Sequence, residues 1–467
     1  MSKLYIFGIG GTGARVLRSF TMMMAAGVKI GADDVVPIII DPDAANADLT
    51  RCVALMNEYH AIRKYLSFPK ENRNTFFKKD IKRILSNYTL RINDTDDRLF
   101  QDFIELSSMN RANQAMCRML FSEKNLTSKM DVGFKGNPNI GSVVLNQIVN
   151  SSDFVDFANS YEQGDKIFII SSIFGGTGAS GFPLLLKTLR TGTTFPNNQI
   201  INTAEIGAIT ILPYFQLQVD NESEIDSSTF ISKTKSALAY YENNISKNNQ
   251  INTLYYLADD VTNTYENHEG GTAQRNDAHL IEFLAASAIV DFCNKEHPDT
   301  THKELGVKDI DGGSISFASF HDELNRALRL PLTQFMLMAN CFNNQYGYIT
   351  STRLQANNKS GFVEHGLYNA QFFTTLKRFT ENYREWLKEM KENKRSLDLF
   401  NIECGSSPFD VVTGVKPKKI ASFLSNYDLF FGHLNNAIKQ CSGDDNNKLL
   451  EMFAIATEKL SKEKFNF

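Results

Sequence analysis

The sequence predicts an α/β fold: a parallel-sheet domain, a buried central helix and a mostly helical C-terminal region. Three observations carry that expectation. Two segments, 3–24 and 166–189, each run from a short apolar strand through a glycine-rich turn into an apolar helix. That is the building unit of a parallel sheet with crossover helices. The third observation is the run LIEFLAASAIVDFC at 280–293, apolar on every side, so a helix there must be buried all round.

The segment 166–189 reads KIFIISSIFGGTGASGFPLLLKTL. Ile167 to Ile170 is a β-branched run suited to a buried strand. Gly175-Gly176-Thr177-Gly178-Ala179-Ser180-Gly181 is the turn, and Phe182 to Leu189 the helix. Glycines let main-chain N–H groups approach a ligand closely, and a helix start adds about half a positive charge, so backbone alone can hold a phosphate. Thr177 and Ser180 add hydroxyls within reach of phosphate oxygens or a hydrated Mg²⁺. A tight turn without a ligand is the structural alternative.

The N-terminal segment repeats the plan. Leu4 to Phe7 is the strand, Gly8-Ile9-Gly10-Gly11-Thr12-Gly13 the turn, Ala14 to Met24 the helix, and Val35 to Ile40 a second strand ending at Asp41-Pro42-Asp43. Gly8, Gly10 and Gly13 satisfy GxGxxG, and Asp41 stands near the position where an acid binds a ribose, so an NAD or FAD domain stays open.

From Ala44 to Lys129 the spacing predicts charged helices over 48–65, 72–87 and 97–120. The basic run Arg63, Lys64, Lys70, Arg73, Lys78, Lys79, Lys82 and Arg83 has acids interleaved nearby, which reads as a solvated face rather than a nucleic-acid patch. Gly133-Phe134-Lys135-Gly136-Asn137-Pro138-Asn139-Ile140-Gly141 is turn chemistry opening a helix over Val143–Val149. Residues 200–212 read as a strand pair or one long strand with Gly207–Leu212 as its core, and the loop after it carries Asp220, Glu222, Glu224 and Asp226, read as facing water. Phe230–Asn243 is helical, and Thr253–Leu257 is a strand followed by Ala258-Asp259-Asp260. The stretch 270–279 leads into the central helix, with Asn276 a candidate N-cap and His279 a packing or capping residue.

GGTGASG resembles the signature loop of the tubulin/FtsZ superfamily, GGGTG-[small]-G, with Phe174 in place of the first glycine. GIGGTGA resembles the family's first phosphate loop, and GNPNIG its third loop, which senses the γ-phosphate. The resemblance covers roughly residues 3–295, with a helical insertion at about 44–130. It implies a bacterial tubulin-like protein binding GTP/GDP and Mg²⁺. Gly10, Gly11, Thr12, Gly13, Asp41, Gly136, Asn137, Gly175, Gly176, Thr177, Gly178, Ala179, Ser180 and Gly181 would surround the phosphates. Asp260, Gln274 and Asn276 would meet the base. It also implies hydrolysis assisted by a carboxylate from a neighbouring subunit. Asp309, Asp311, Asp322 and Glu323 are the candidates, with Asp322 and Glu323 preferred because they sit where a loop becomes a helix. Self-assembly into an oligomer or filament follows from the same resemblance, as does a division into 1–275, a central helix at 276–296 and a C-terminal domain at 297–467.

Composition sets bounds. With 467 residues, 42% hydrophobic, 22% charged and a net charge of −4, the chain is ordinary for a globular protein and gives no sign of a nucleic-acid or membrane surface. No apolar run reaches the roughly 18 residues a membrane helix needs, and six scattered cysteines form no CxxC pair. A cytoplasmic protein with reduced thiols is expected. Beyond residue 330 the sequence reads helical, with short strands at Tyr346–Thr350 and Phe409–Val415. Phe372, Leu376, Phe379, Tyr383, Trp386 and Met390 form a seam that packs on its own domain or on a protein partner. A non-hydrolysing nucleotide-binding switch or scaffold in a bacterial assembly, and an NAD- or FAD-dependent oxidoreductase, are the alternative functions.

Overall fold

The computed structural model describes residues 2–93, 95, 97–130, 134, 137–217, 230–248, 250–261, 263–265, 271, 275–294, 307, 314–357, 366–403, 407–418 and 424–467. Its strands are β1 (Lys3–Ile9), β2 (Asp34–Ile40), β3 (Asp80–Ile81), β4 (Lys166–Ser172), β5 (Glu205–Ile211), β6 (Gln216–Leu217), β7 (Thr253–Leu257) and β8 (Thr264–Tyr265). The helices that matter here are α1 (Gly10–Ala25), α2 (Ala47–Arg63), α3 (Arg111–Leu120), α4 (Pro138–Leu145), α5 (Ser152–Ser160), α6 (Gly176–Thr191), α7 (Phe230–Tyr241) and α8 (Leu280–Asn294). The C-terminal region adds α9 (Asp322–Asn344), α10 (Gln371–Glu392), α11 (Asn426–Ala437) and α12 (Asp445–Phe465).

Among the described residues, six strands form one sheet in the order β3-β2-β1-β4-β5-β7, every pair parallel. In β1, β2, β4 and β5 every residue after the first is buried. Continuous Val, Ile and Phe runs require cover on both faces, and a parallel sheet provides it. α1, α2 and α8 pack together, with α8 also against β4, β5 and β7, while α6 packs against α4. The strand order turns about the β1–β4 pair, where Gly8 sits opposite both Ile39 and Ile170. Doubly wound sheets bind ligands outside the carboxyl ends of their strands at such a switch point.

α8 begins at Leu280, where the apolar run begins and four residues after the 276 expected for the central helix, and eleven of its fifteen residues are buried, Glu282 included. The C-terminal region is helical, as predicted, and shares the same apolar core. All six seam residues of α10 are at most 2% exposed. They pack inward: Phe379 against Tyr59, Phe77 and Phe335, and Trp386 against Phe283. The seam is therefore filled by the chain's own core, and a partner on it is not supported.

Four expectations are corrected. Residues 72–87 do not form a helix; the segment is pinned by Asn74 to its own backbone and by Tyr59 Oη donating to the Lys79 carbonyl at 2.7 Å, with Phe76 and Phe77 in the core. Residues 97–120 are helical only in pieces, with α3 the longest. Tyr346–Ile349 is a helical turn continuing from α9, and Pro408–Asp410 a 3₁₀ turn beside a single bridge, Phe400 to Val412, in place of the two short strands. The glycine-rich "turns" are themselves helix starts: α1 begins at Gly10 and α6 at Gly176.

Candidate anion-binding site

The loops after β1 and β4 and the start of α4 meet at the carboxyl edge of the sheet. Gly10 takes φ +70°, and a Cβ there would stand 3.5 Å from Thr177 Cβ, so the first loop lies against the second. A Cβ on Gly141 would press on Phe134 at 2.9 Å and the Gly176 carbonyl at 3.1 Å, which brings α4 onto the start of α6. Three helix starts thus share one neighbourhood.

Their chemistry is alike. No side chain caps α1, α4 or α6, and none of the three carries an acid in its first turn. Five other helices are capped by side chains: Asn46 on α2, Asn110 on α3, Ser151 on α5, Ser425 on α11 and Asp444 on α12; α9 and α10 also start without such a cap, away from this neighbourhood. Uncapped starts leave first-turn N–H groups without intrahelical partners and keep the dipole's positive end uncompensated. A phosphate suits such a place.

The glycines divide by role. A Cβ on Gly178 would stand 2.7 Å from the Ser172 carbonyl, and one on Gly181 2.9 Å from Ile9. Gly13 lies against the Gly8 backbone, where any side chain would collide. These three permit helix–strand packing, whatever they do for a ligand. Thr12 and Thr177 are half-buried in the first turns of α1 and α6. Ser180 is buried, and its hydroxyl donates to the Gly176 carbonyl at 2.7 Å. Asn137, Gly175, Ala179 and Ser180 line one cleft of about 690 Å³, walled by α6 and by Ser232–Tyr241 of α7. Phe174, in place of the family's glycine, is buried against Tyr214, Phe215 and Phe230.

Asp41 ends the strand β2 and is buried; its carboxylate accepts from the Asp43 N–H at 3.1 Å. Burial pushes its pKa up to about 7, with Asp43 and Asp48 adding to the rise and the Asp43 N–H opposing it. Asp43 accepts from the Ala45 and Gly271 N–H groups. No group of three or more potential metal ligands occurs among the described residues.

Beside α1 lies a buried ionic network that sequence reasoning missed. Arg15 donates from Nε to Glu282 at 2.5 Å and from Nη1 to Asp48 at 3.0 Å. Asp48 accepts from both the backbone N–H (2.9 Å) and the side-chain amide (2.7 Å) of Asn276. Arg18 donates to Glu389 at 2.7 Å, Arg51 also pairs with Glu389, and that carboxylate accepts from Ala278 N–H at 2.9 Å. Burial alone would raise Glu389; Arg18 and Arg51 outweigh it and hold the carboxyl below its ordinary value. One signal was available: a glutamate in a helix buried all round, like Glu282, demands a cationic partner.

Asn276 is thus brought next to α1, bound to Asp48, and does not cap α8. His279 does so, its Nδ1 accepting from the Ile281 N–H at 3.0 Å. Burial lowers the His279 pKa to about 3, with Arg15 and Arg395 contributing, so the ring is neutral. Asp260 is exposed after β7, its N–H donating to Asp259, which pairs with Arg395 at 2.9 Å. Asp322 and Glu323 are exposed in the first turn of α9. Gly136, Gln274, Lys135, Asp309, Asp311 and the 220–226 acids lie outside the described residues.

No protein-family model matches this chain, and none of the curated proteins matches it. Among solved structures it is similar to CetZ1 from Haloferax volcanii as a GDP-bound monomer, at 15% identity over 55% of this chain and 51% of that one, with a TM-score of 0.28. It is also similar to CetZ2 from Haloferax volcanii in a GTPγS-bound protofilament, at 13% identity over 55% and 49%, TM-score 0.26. CetZ from Methanosaeta thermophila strain DSM 6194 gives 16% identity over 55% and 46%, TM-score 0.26. The matched region spans about half the length of each of these structures. The described residues form an α/β fold with a six-stranded parallel sheet and a helical C-terminal region, and the uncapped starts of α1, α4 and α6 converge at the sheet's switch point.

Proposed function

We propose that this chain binds a guanine nucleotide in the manner the tubulin/FtsZ resemblance implies, with the phosphates on the starts of α1, α4 and α6. The observation that supports it most is the convergence of those three starts, each without a cap or a first-turn acid, at the switch point of the sheet. Backbone N–H groups from Gly10–Gly13 and Gly175–Gly178 would take the phosphate oxygens, with Thr12 and Thr177 adding hydroxyl donors. A Mg²⁺ riding on the phosphates needs only one or two protein oxygens, and Asp41, at the same sheet edge, is the carboxylate a cation would ionise. Asn276 would reach the base by giving up its amide bond to Asp48.

Hydrolysis, if the resemblance extends to it, rests on positioned water and electrostatics. Asp322 and Glu323 face solvent, as donors to a neighbouring copy's nucleotide must. Turnover per chain should then rise with protein concentration, and Asp322→Asn with Glu323→Gln should abolish the rise while leaving nucleotide affinity intact. Turnover independent of concentration, or unaffected by that pair, removes these residues from the mechanism. Tight binding without turnover or assembly would support the non-hydrolysing switch. The dinucleotide reading shares the strand order and the first loop, and predicts co-purifying flavin or NAD and no thermal protection by GTP.

A further inference from the structure

α3 is built the wrong way round for a helix of a globular protein. Its sequence, RANQAMCRML, places Ala112, Ala115, Met116 and Met119 at i, i+3, i+4 and i+7, one stripe of an amphipathic helix. Such a stripe normally faces the core. Here none of the ten residues is buried. The side held to the protein is the other one: Gln114 donates from its amide to the Met109 carbonyl at 2.8 Å, and Cys117 Sγ lies 3.7 Å from Met109 Sδ. Met116, Met119 and Leu120 are consequently 61%, 87% and 64% exposed.

The charges around the stripe indicate what covers it. Arg111 and Arg118, seven residues apart and so on one side of the helix, flank the apolar face, and the helix contains no acid. Both arginines are exposed; Arg118 makes a 3.8 Å surface pair with Glu123, which is weak. The chain as a whole carries −4, whereas this helix carries two arginines and no acid. The patch is short, on a helix of ten residues. Three side chains offer on the order of a few hundred Å², below the roughly 800 Å² per partner of a stable protein interface. An apolar stripe edged by arginine on an otherwise polar, exposed helix matches a helix lying in the plane of a lipid headgroup layer.

We infer that α3 is a peripheral attachment element that docks the chain onto an anionic lipid surface, Met116, Met119 and Leu120 entering the acyl boundary and Arg111 and Arg118 pairing with headgroup phosphates. The inference is independent of the nucleotide site. It also differs from a membrane span: no described helix is long and apolar enough to cross a bilayer.

The test is flotation of the full-length protein with vesicles of phosphatidylcholine alone and with 40% phosphatidylglycerol by design (on the order of the anionic content used to probe polybasic attachment). Wild type should float with the anionic vesicles and stay in solution with the neutral ones, and roughly tripling the salt should release it. Met119→Asp should reduce flotation at least tenfold, and Arg111→Gln with Arg118→Gln at least fivefold. All these positions are exposed, so thermal midpoints should match wild type and verify folding. Failure of wild type to float overturns the inference, as does flotation that the variants do not change. A concentration-dependent dimer in lipid-free solution that Met119→Asp dissociates would assign the stripe to a second copy and overturn it too.

Discussion

At the residue scale, Asp41 and His279 give the chain two opposed pH dependences. The Asp41 pKa rises from 3.8 to about 7 in the folded state. Its carboxyl therefore favours folding fully below pH 3.8, and that contribution is lost as pH climbs towards 7. Asp41→Asn should accordingly stabilise the ligand-free protein at pH 8, by at most about 4 kcal/mol, with the gain vanishing near pH 4. Denaturant melts at the two pH values measure it, and an equal effect at both would refute buried ionisation. His279 runs the other way. Its pKa falls from 6.5 to about 3, so its contribution is present above pH 6.5 and is lost as the pH drops below that value. His279→Gln should flatten the acid limb between pH 6 and 4.5, where one proton is worth about 1.4 kcal/mol per pH unit. If the acid limb keeps its slope in that variant, the buried neutral imidazole is not its source.

At the element scale, what was legible in the sequence follows from burial. β1, β2, β4 and the core of β5 were readable within one or two residues because parallel strands covered on both faces are unbroken apolar runs, and α8 because it is apolar all round; β7, a partly exposed edge strand, was legible only as a short run of Thr, Leu and Tyr. The starts of α1 and α6 were misplaced for the reason that makes them interesting: lacking Ser, Thr, Asp or Asn caps, they lack the mark by which a helix start is recognised. Residues 72–87 failed because contacts distant in sequence, such as Phe77 with Phe335 and Phe379, override local spacing. The glycine-rich loops were thus visible as a candidate site, while the ionic network was not. Its members Arg18 and Glu389 are 371 residues apart, and no local pattern joins them. That network clamps α1, α2 and the approach to α8 onto α10. Glu389→Ala should cost about 3–5 kcal/mol by leaving two arginines partly buried and unpaired. A loss below about 1 kcal/mol in a denaturant melt would show that the clamp carries no weight.

At the scale of the whole molecule, one helix start after another is directed at a single edge of the sheet, and the C-terminal helices hold α1 in place from behind through Glu389 and Trp386, whose Nε1 donates to Ser19 Oγ at 3.2 Å. Ligand at that edge should therefore stabilise the entire chain, C-terminal helices included, since they share one core with the sheet. Saturating GTP at about a hundred times its dissociation constant should add about 2.7 kcal/mol, read as one cooperative melt shifted upward.

Substituting the glycines themselves is a poor probe, because Gly13, Gly178 and Gly181 are needed for packing. The sharper measurement is GTP affinity, by calorimetric titration, of wild type against Thr12→Glu and Thr177→Glu. An acid in a helix's first turn favours the fold by about 0.3–1 kcal/mol but repels a phosphate at the same N–H groups. The account predicts thermal midpoints equal to or above wild type without nucleotide, and GTP affinity reduced at least a hundredfold in both variants. Unchanged affinity in stably folded variants would contradict it.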